Sequence, residues 1–230
     1  MNEGTNRLLL IFDLDDTLYE EETFVLSGFK AVASMARSRW QLDPKETENT
    51  LKTLLKTQGR GTIFDTWLKQ NGLYSQQAVK TCVQCYRSHK PDIRLNSAAQ
   101  LLLPQLPKPL YLVTDGNKQV QANKVKALGI EHYFKKILIT HRYGIKHAKP
   151  SIYCFDRIRQ LEKCQWPDMM YIGDNPNKDF INLNRQGAVT VRLLTGMFKN
   201  LKVPQTADAK HTLKDLKELP ALLATLGHQV

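Results

Sequence analysis

The sequence has few cysteines, no long apolar run and no internal repeats, and these absences exclude several classes of protein. No stretch reaches the ~18 apolar residues of a membrane span, so we expect no membrane partner. The apolar start of the chain leads into carboxylates at Asp13 and not into the small-residue cleavage site of a signal peptide, which predicts a cytoplasmic location. The proportions of hydrophobic (42%) and charged (24%) residues indicate a folded globular chain.

The four cysteines are too few, in 230 residues, for a disulfide framework. Cys82 and Cys85 have the spacing of half a zinc site. A complete zinc site needs four ligands, and no nearby cysteine or histidine pair supplies the other two. We therefore favour the alternative interpretation, in which these two cysteines pack on a helix.

Acidic residues are fewer than basic ones: 22 acidic and 33 basic residues give a net charge of +11. Such a charge raises the question of a nucleic-acid partner. The basic residues are spread along the chain, without a polybasic tail or a known nucleic-acid-binding motif. We favour a solvated surface that attracts anionic substrates, and keep nucleic acid as the less favoured partner.

Short apolar runs rich in β-forming residues alternate with segments of helical length over much of the chain. The predicted strands are Leu8–Phe12, Leu110–Thr114, Ile137–Ile139, Met169–Ile172 and Val189–Arg192. The predicted helices that follow the second strand are Asn117–Leu128, Ser151–Leu161, Asn177–Gln186 and Leu213–Leu226. This alternation predicts an α/β fold with a Rossmann-like parallel sheet and helices on both faces.

The first two predicted strands are separated by about ninety residues, far more than a simple crossover needs. This segment has the pattern of several helices. They are Phe24–Trp40, a helix that begins at Asp43-Pro44, Phe64–Leu68 and Ser75–His89. We therefore predict an all-helical cap domain over residues 20–94, inserted into a catalytic core formed by residues 1–19 and 95–230.

Polar residues follow three of the predicted strands, at the point where each strand ends. The first strand runs into Asp13–Thr17, which contains three acids, while Thr114 and Asp174 stand at the ends of two later strands. Open α/β sheets bind ligands at the carboxyl ends of their strands. Three acids in four positions repel one another, so we expect a cation nearby. Lys149, just before a predicted helix, could reach the same crevice.

These residues resemble the four motifs of the haloacid dehalogenase superfamily, which occur here in the expected order. The first is Asp13–Thr17, followed by Thr114, by Lys149, and by Gly173-Asp174 with Asp179. The resemblance extends over essentially the whole core, and the helical insert between the first and second motifs resembles the superfamily's cap.

The resemblance implies roles for the residues of the first three motifs. Asp13 would be the nucleophile that accepts the phosphoryl group. Asp15 would be the acid/base, and this double task predicts a pKa raised by the neighbouring carboxylates. Thr114, the backbone of Asp115 and Lys149 would hold the phosphoryl oxygens, although Asp115 stands where many relatives carry asparagine.

The resemblance also implies a Mg²⁺ cofactor. Its ligands would be one oxygen of Asp13, the backbone carbonyl of Asp15 and the carboxylate of Asp174, which are the oxygen donors that Mg²⁺ prefers. Asp179 would orient Lys149 or reach the metal through water. The alternative for Asp179 is an acid early in a helix, where it favours the helix dipole.

Membership of this superfamily does not fix the reaction. Dehalogenases and phosphonate hydrolases characteristically lack the second acid, so Asp15 favours Mg²⁺-dependent hydrolysis of a small phosphorylated metabolite. A sugar-phosphate mutase keeps both acids and stays open as an alternative. A non-catalytic nucleic-acid-binding module stays open as another.

Arg60 is the candidate for substrate specificity. It stands in a glycine-rich segment, Gln58–Gly61, between two predicted cap helices, in the region that resembles the superfamily's substrate-specificity loop. Its guanidinium could bind a phosphate or carboxylate on the leaving group. The alternative is a solvated turn. Sugar phosphates, nucleotides and phosphoglycolate are all compatible with the sequence.

Overall fold

A parallel β-sheet forms the centre of the computed structural model, which describes residues 8–228. The strands in this part of the chain are β1 (Leu9–Phe12), β2 (Leu110–Thr114), β3 (Phe134–Ile139), β4 (Met169–Gly173), β5 (Val189–Leu193) and β6 (His211–Leu213). All neighbouring strands run parallel, in the order β3-β2-β1-β4-β5-β6. The predicted α/β fold class with a Rossmann-like parallel sheet is confirmed.

The helices occupy the long insert and the connections between strands. They are α1 (Glu21–Trp40), α2 (Pro44–Gln58), α3 (Ile63–Gln70), α4 (Gln76–Ser88), α5 (Ser97–Leu102), α6 (Lys118–Leu128), α7 (Tyr153–Glu162), α8 (Ile181–Gln186) and α9 (Leu219–Thr225). No helix among the described residues is long and apolar enough to cross a membrane.

The chain divides into two compact units. One consists of residues 8–21 together with 94–228 and contains the sheet, and the other is the helical unit Glu22–Ile93. Each unit has an apolar cluster of its own.

The sheet core is built from side chains of the central strands and the helices that pack on them. Ile11, Tyr111 and Tyr171, from three adjacent strands, are each at most 1% exposed and pack in one cluster with Phe155 of α7 and Leu183 of α8. Burial of one large apolar side chain contributes on the order of 1.5–3 kcal/mol, so this cluster fixes the three strands relative to one another.

The helical unit packs around Trp67 of α3, which is 1% exposed. Two of its helices, α2 and α4, start at side-chain caps: Asp43 accepts the backbone N–H of Glu46, and Ser75 accepts that of Ala78. Cys82 is fully buried on α4 and belongs to this apolar cluster, with Cys85 packed against it. The pair therefore packs on a helix, as favoured from the sequence.

Two predicted helices begin four or more residues too early. The predicted helix over residues 177–186 begins only at Ile181, because residues 175–180 form a turn in which the carbonyl of Asn175 accepts the backbone N–H of Asp179. The predicted helix over residues 213–226 is also wrong at its start. His211–Leu213 pairs with β5 as the edge strand β6, and the helix begins at Leu219, where Pro220 occupies its first turn.

Candidate active site

Asp13, Thr114 and Asp174 lie at the carboxyl edge of the sheet because their strands are adjacent and in register. Phe12 pairs with Leu112 of β2 and with Ile172 of β4. Asp13 and Asp174 directly follow β1 and β4, and Thr114 is the last residue of β2. All three side chains are buried. Sheet register thus positions carboxylates and a hydroxyl that are far apart in the sequence.

Lys149 is the buried cation beside Asp13. Its ammonium lies 3.0 Å from Asp13 Oδ1 and 2.7 Å from Asp179 Oδ1, and it donates to the hydroxyl of Tyr171 at 2.9 Å. Desolvation lowers the pKa of Lys149, but Asp13 and Asp179 raise it well above its usual value. Lys149 therefore carries a positive charge beside Asp13.

Asp179 is held in the turn before α8 and does not lie on the helix itself. Its Oδ2 accepts the backbone N–H of Asn175 at 3.0 Å, while Oδ1 faces Lys149. The alternative of a helix-dipole acid is therefore not supported by its position. Gly173 leaves room for this carboxylate, since a Cβ there would lie 2.7 Å from Asp179 Oδ2.

Three buried carboxylates form a group that could hold a metal ion: oxygens of Asp13, Asp174 and Asp179 all lie within 4.8 Å of one another. Burial, followed by repulsion from Asp13 and Asp179, raises the pKa of Asp174 to about 9. Burial also raises the pKa of Asp13, to about 6, against the opposing effect of Lys149. Among the described residues, basic side chains pair with Asp13 and Asp179 but not with Asp174. A hard cation with oxygen ligands fits this group.

Asp15 does not have the raised pKa expected from its neighbours. Desolvation raises the pKa, but the ammonium of Lys124, 2.7 Å from Oδ1, and hydrogen bonds from Tyr19 and Gln121 lower it below its ordinary value. The expectation was wrong because the side chain faces a lysine that the sequence did not place. Asp13, Asp15 and Asp174 were the predicted metal ligands. Asp15 was expected to contribute its backbone carbonyl oxygen, so the contacts of its side chain do not bear on that prediction.

The contacts of the Asp115 carboxylate explain why an acid can stand so close to the crevice. Its Oδ1 accepts the hydroxyl of Thr140 at 2.5 Å and the backbone N–H of Lys149 at 3.1 Å. Its Oδ2 lies 3.5 Å from the ammonium of Lys178. Burial raises the pKa of Asp115, but these partners lower it below its ordinary value. The carboxylate thus ties the end of β2 to the segment that carries Lys149.

Arg60 lies in the segment between α2 and α3 of the helical unit, and it is exposed. The glycines on either side have positive φ angles, 70° at Gly59 and 124° at Gly61. Only glycine adopts such conformations readily, so the two glycines allow the chain to turn at Arg60.

Several buried residues around the crevice were not predicted from the sequence, among them Tyr19, Tyr171, Thr140, Gln121 and Lys124. Tyr171 stands in an apolar strand, where a tyrosine is ordinarily a packing residue. Gln121 and Lys124 stand on a helix rich in polar residues, where each is ordinarily solvated. The spacing of Gln121 and Lys124, three residues apart and thus on one helix face, is the only signal that could have linked them.

A family model described as haloacid dehalogenase-like hydrolase matches residues 10–193. The chain belongs to the haloacid dehalogenase-like hydrolase family. The match extends from β1 to the end of β5 and therefore includes all the motif residues named above. The resemblance deduced from those motifs is confirmed.

Two curated relatives of this hydrolase match over nearly their whole lengths. The glyceraldehyde 3-phosphate phosphatase of Methanocaldococcus jannaschii is 28% identical over 225 residues, which cover 94% of this chain and 97% of the relative. The N-acylneuraminate-9-phosphatase of Homo sapiens is 25% identical over an alignment of 256 positions, which covers 99% of this chain and 98% of the relative. Both are phosphatases by name, in agreement with the predicted enzyme class.

A solved structure of a haloacid dehalogenase-type hydrolase from Bacillus subtilis, bound to magnesium, has the same fold. Its TM-score is 0.66 at 18% identity, and the match covers 94% of this chain and 98% of that chain. At this identity the likeness supports the fold of the hydrolase and nothing finer.

Proposed function

We propose that this chain hydrolyses a small phosphate monoester in two steps through a phospho-aspartate at Asp13. One observation carries the proposal: the Asp13 carboxylate is buried 3.0 Å from the ammonium of Lys149 and shares its crevice with Asp174. A carboxylate in this setting can attack an incoming phosphorus atom, and the cations around it offset the repulsion between two anions.

In the first step, an oxygen of Asp13 forms a bond to phosphorus while the bond between phosphorus and the ester oxygen breaks. Asp15 gives a proton to the departing oxygen, so that an alcohol leaves. Asp15 follows Asp13 by two residues at the same strand end. This step uses the protonated form of Asp15. Because the pKa of Asp15 is lowered in the structure, its carboxylate has to take up a proton when the substrate binds.

In the second step, water attacks the phosphorus of the phospho-aspartate and the bond from phosphorus to Asp13 breaks. Asp15 takes a proton from this water and returns to its starting state, and inorganic phosphate leaves. The ionised form of Asp15, which Lys124 stabilises at 2.7 Å, is the form that this step uses.

Three groups would hold the phosphoryl oxygens: the hydroxyl of Thr114, the backbone N–H of Asp115 and the ammonium of Lys149. Donors fixed before the reaction stabilise the charge that develops on phosphorus. The contacts of Asp179 with Lys149 at 2.7 Å and of Asp115 with the Lys149 backbone support an orienting role for both acids.

Mg²⁺ is the cofactor we propose, held by one oxygen of Asp13, the carboxylate of Asp174 and the backbone carbonyl of Asp15. The cluster of buried carboxylates, with its raised Asp174 pKa, fits such an ion. When bound, the ion supplies positive charge that offsets repulsion between the nucleophile and the anionic substrate. Asp179, whose oxygen lies in the same group, could also reach the ion through water.

The substrate class that we favour is a small, sugar-like phosphate monoester. The names of the two curated relatives describe a phosphorylated triose and a phosphorylated acylneuraminate, which share this chemistry. We propose that the helical unit Glu22–Ile93 is a cap domain and that Arg60 contributes to the choice of leaving group. The cytoplasmic location stays a prediction.

The test is phosphate release by the purified chain with Mg²⁺ from a panel of sugar phosphates, nucleotides and phosphoglycolate. We expect release of inorganic phosphate from at least one sugar phosphate, and none by an Asp13→Asn variant. Conversion of a sugar phosphate to its isomer without phosphate release would identify a mutase instead. Full activity of Asp13→Asn would refute the mechanism.

A further inference from the structure

The carboxylate of Asp15 is held by three side chains that the proposed chemistry does not otherwise use. Tyr19 donates its hydroxyl to Oδ1 at 2.5 Å, and Lys124 donates to the same oxygen at 2.7 Å. Gln121 donates from its amide nitrogen to Oδ2 at 2.9 Å. We name Tyr19, Gln121 and Lys124 the Asp15 clamp.

The clamp is built into the interior of the sheet unit. Gln121 and Lys124 lie one helical turn apart on α6 and are 2% and 3% exposed, and Tyr19 is 1% exposed. An ammonium is ordinarily kept in water, because burying it costs free energy that only good partners return. Lys124 has its partners in Asp15 and, at 3.6 Å, in Glu21, and its ammonium lies 5.9 Å from the centre of the Tyr19 ring.

Gln121 also connects Asp15 with Thr114. A carboxylate oxygen only accepts hydrogen bonds, so the end of the Gln121 side chain that faces Asp15 has to be its NH₂ group. The same nitrogen donates to Thr114 Oγ1 at 2.5 Å. The hydroxyl of Thr114 therefore accepts from Gln121 and keeps its own hydrogen available for a phosphoryl oxygen.

We infer that Lys124, with Tyr19 and Gln121, is a positioning residue for the acid/base of this hydrolase. The clamp restricts Asp15 to one orientation and, through Gln121, sets the direction of the Thr114 hydroxyl. This inference rests on the proposed function, since it assigns Lys124 a role only through Asp15. Orientation matters because a displacement of ~1 Å in a catalytic group can cost on the order of 10²-fold in rate.

The experiment compares Lys124→Met, which keeps the length of the side chain but removes its charge, with the milder Tyr19→Phe. Tyr19→Phe removes one hydroxyl and keeps the ring in the core, so it tests the clamp even if Lys124→Met does not fold. Lys126→Met is the matched control, because Lys126 is exposed on the same helix. Each substitution is made in the wild type and in an Asp15→Asn background.

The readouts are kcat, KM and the rate of the first burst of p-nitrophenolate from p-nitrophenyl phosphate with Mg²⁺. In the wild-type background we expect each clamp variant to lose about tenfold or more in kcat, with KM changed by less than about threefold. In the Asp15→Asn background we expect less than about a twofold further loss in the burst rate, because residues that act through one group are not additive. Lys126→Met should match its parent in both backgrounds.

Wild-type kcat in both Lys124→Met and Tyr19→Phe would overturn the inference, as would an equal loss with and without Asp15, which is the behaviour of a purely structural role. Asp13→Asn separates this failure from that of the proposed function. If the clamp variants behave like the wild type while Asp13→Asn is inactive, only the inference fails. If Asp13→Asn is active, the proposed function fails first.

Discussion

The carboxylate of Asp115 accepts the backbone N–H of Lys149 at 3.1 Å, so an acid beside the crevice fixes the segment that carries the buried cation. The same oxygen accepts the hydroxyl of Thr140, which comes from the 3₁₀ turn after β3. An asparagine at position 115 could accept both hydrogen bonds through its carbonyl oxygen. The two hydrogen bonds to Oδ1 thus do not depend on the charge of Asp115, whereas the contact of Oδ2 with Lys178 at 3.5 Å does.

We predict that Asp115→Ala lowers kcat/KM by about tenfold or more, because Lys149 loses the hydrogen bond that fixes its backbone. Asp115→Asn should keep most of the activity, within about threefold, since its oxygen can replace Oδ1. Steady-state kinetics with p-nitrophenyl phosphate measures both. Equal losses in the two variants would show that the charge of Asp115, and not its acceptor oxygen, is what counts.

Removal of divalent metal should abolish turnover. Asp13 and Asp174 are buried acids with close oxygens, and we expect Mg²⁺ to restore activity after chelation with EDTA, while Ca²⁺ inhibits because its larger, irregular coordination disturbs the in-line geometry. Asp174→Asn should weaken Mg²⁺ binding at least tenfold in calorimetry, independently of any activity. Undiminished turnover after exhaustive chelation would remove the metal from the mechanism.

Asp15→Asn should expose the covalent intermediate. The substitution keeps the size of the side chain but removes the group that activates water, whereas p-nitrophenolate leaves without acid assistance. Phospho-aspartate should therefore accumulate. Mass spectrometry after a rapid acid quench should find one added phosphoryl group on the peptide that contains Asp13, and none when Asp13 is asparagine. Near wild-type turnover without a trapped adduct would contradict the role of Asp15.

Arg60→Ala should change the preference among substrates more than it changes turnover of p-nitrophenyl phosphate. The reason is that a guanidinium recognises anionic groups on the leaving part of a substrate, which p-nitrophenol lacks. The measurement is kcat/KM over a panel of sugar phosphates and phosphoglycolate, with Lys80→Ala as the control, since Lys80 is also exposed in the helical unit. Uniform losses on every substrate would argue against a role in specificity.

The strands of the sheet centre could be predicted because buried parallel strands are almost continuously apolar, as in β1, where every residue is buried. The polar residues at the ends of these strands then predicted that Asp13, Thr114 and Asp174 lie together at the carboxyl edge of the sheet. The edge strand β6 has only three residues, His211–Leu213, and contains no apolar run that would predict a strand. It is a strand because it pairs with β5. Its existence depends on the neighbouring strand and not on local propensity.

The direction of the Asp15 pKa could not be predicted for a related reason. From the sequence, Asp13 and Asp16 are the nearest charges to Asp15, and both would raise its pKa. In the folded chain the decisive charge is Lys124, which is more than a hundred positions away and lies 2.7 Å from the Asp15 carboxylate. In the sequence alone, a buried lysine on a polar helix cannot be distinguished from a solvated one, because the tertiary contact that buries it is not visible there.

Leu10 of β1 pairs with Leu110, and Leu9 pairs with Met169, so both pairings of the first strand close very long loops. Closing such loops costs conformational entropy, and contacts between distant residues form slowly during folding. Asp13 meets Asp174 only when the second of these pairings is made. During refolding, the return of enzyme activity should therefore lag behind the recovery of helical signal from α1–α4, which depends on local contacts within residues 21–88. Activity would then report completion of the sheet.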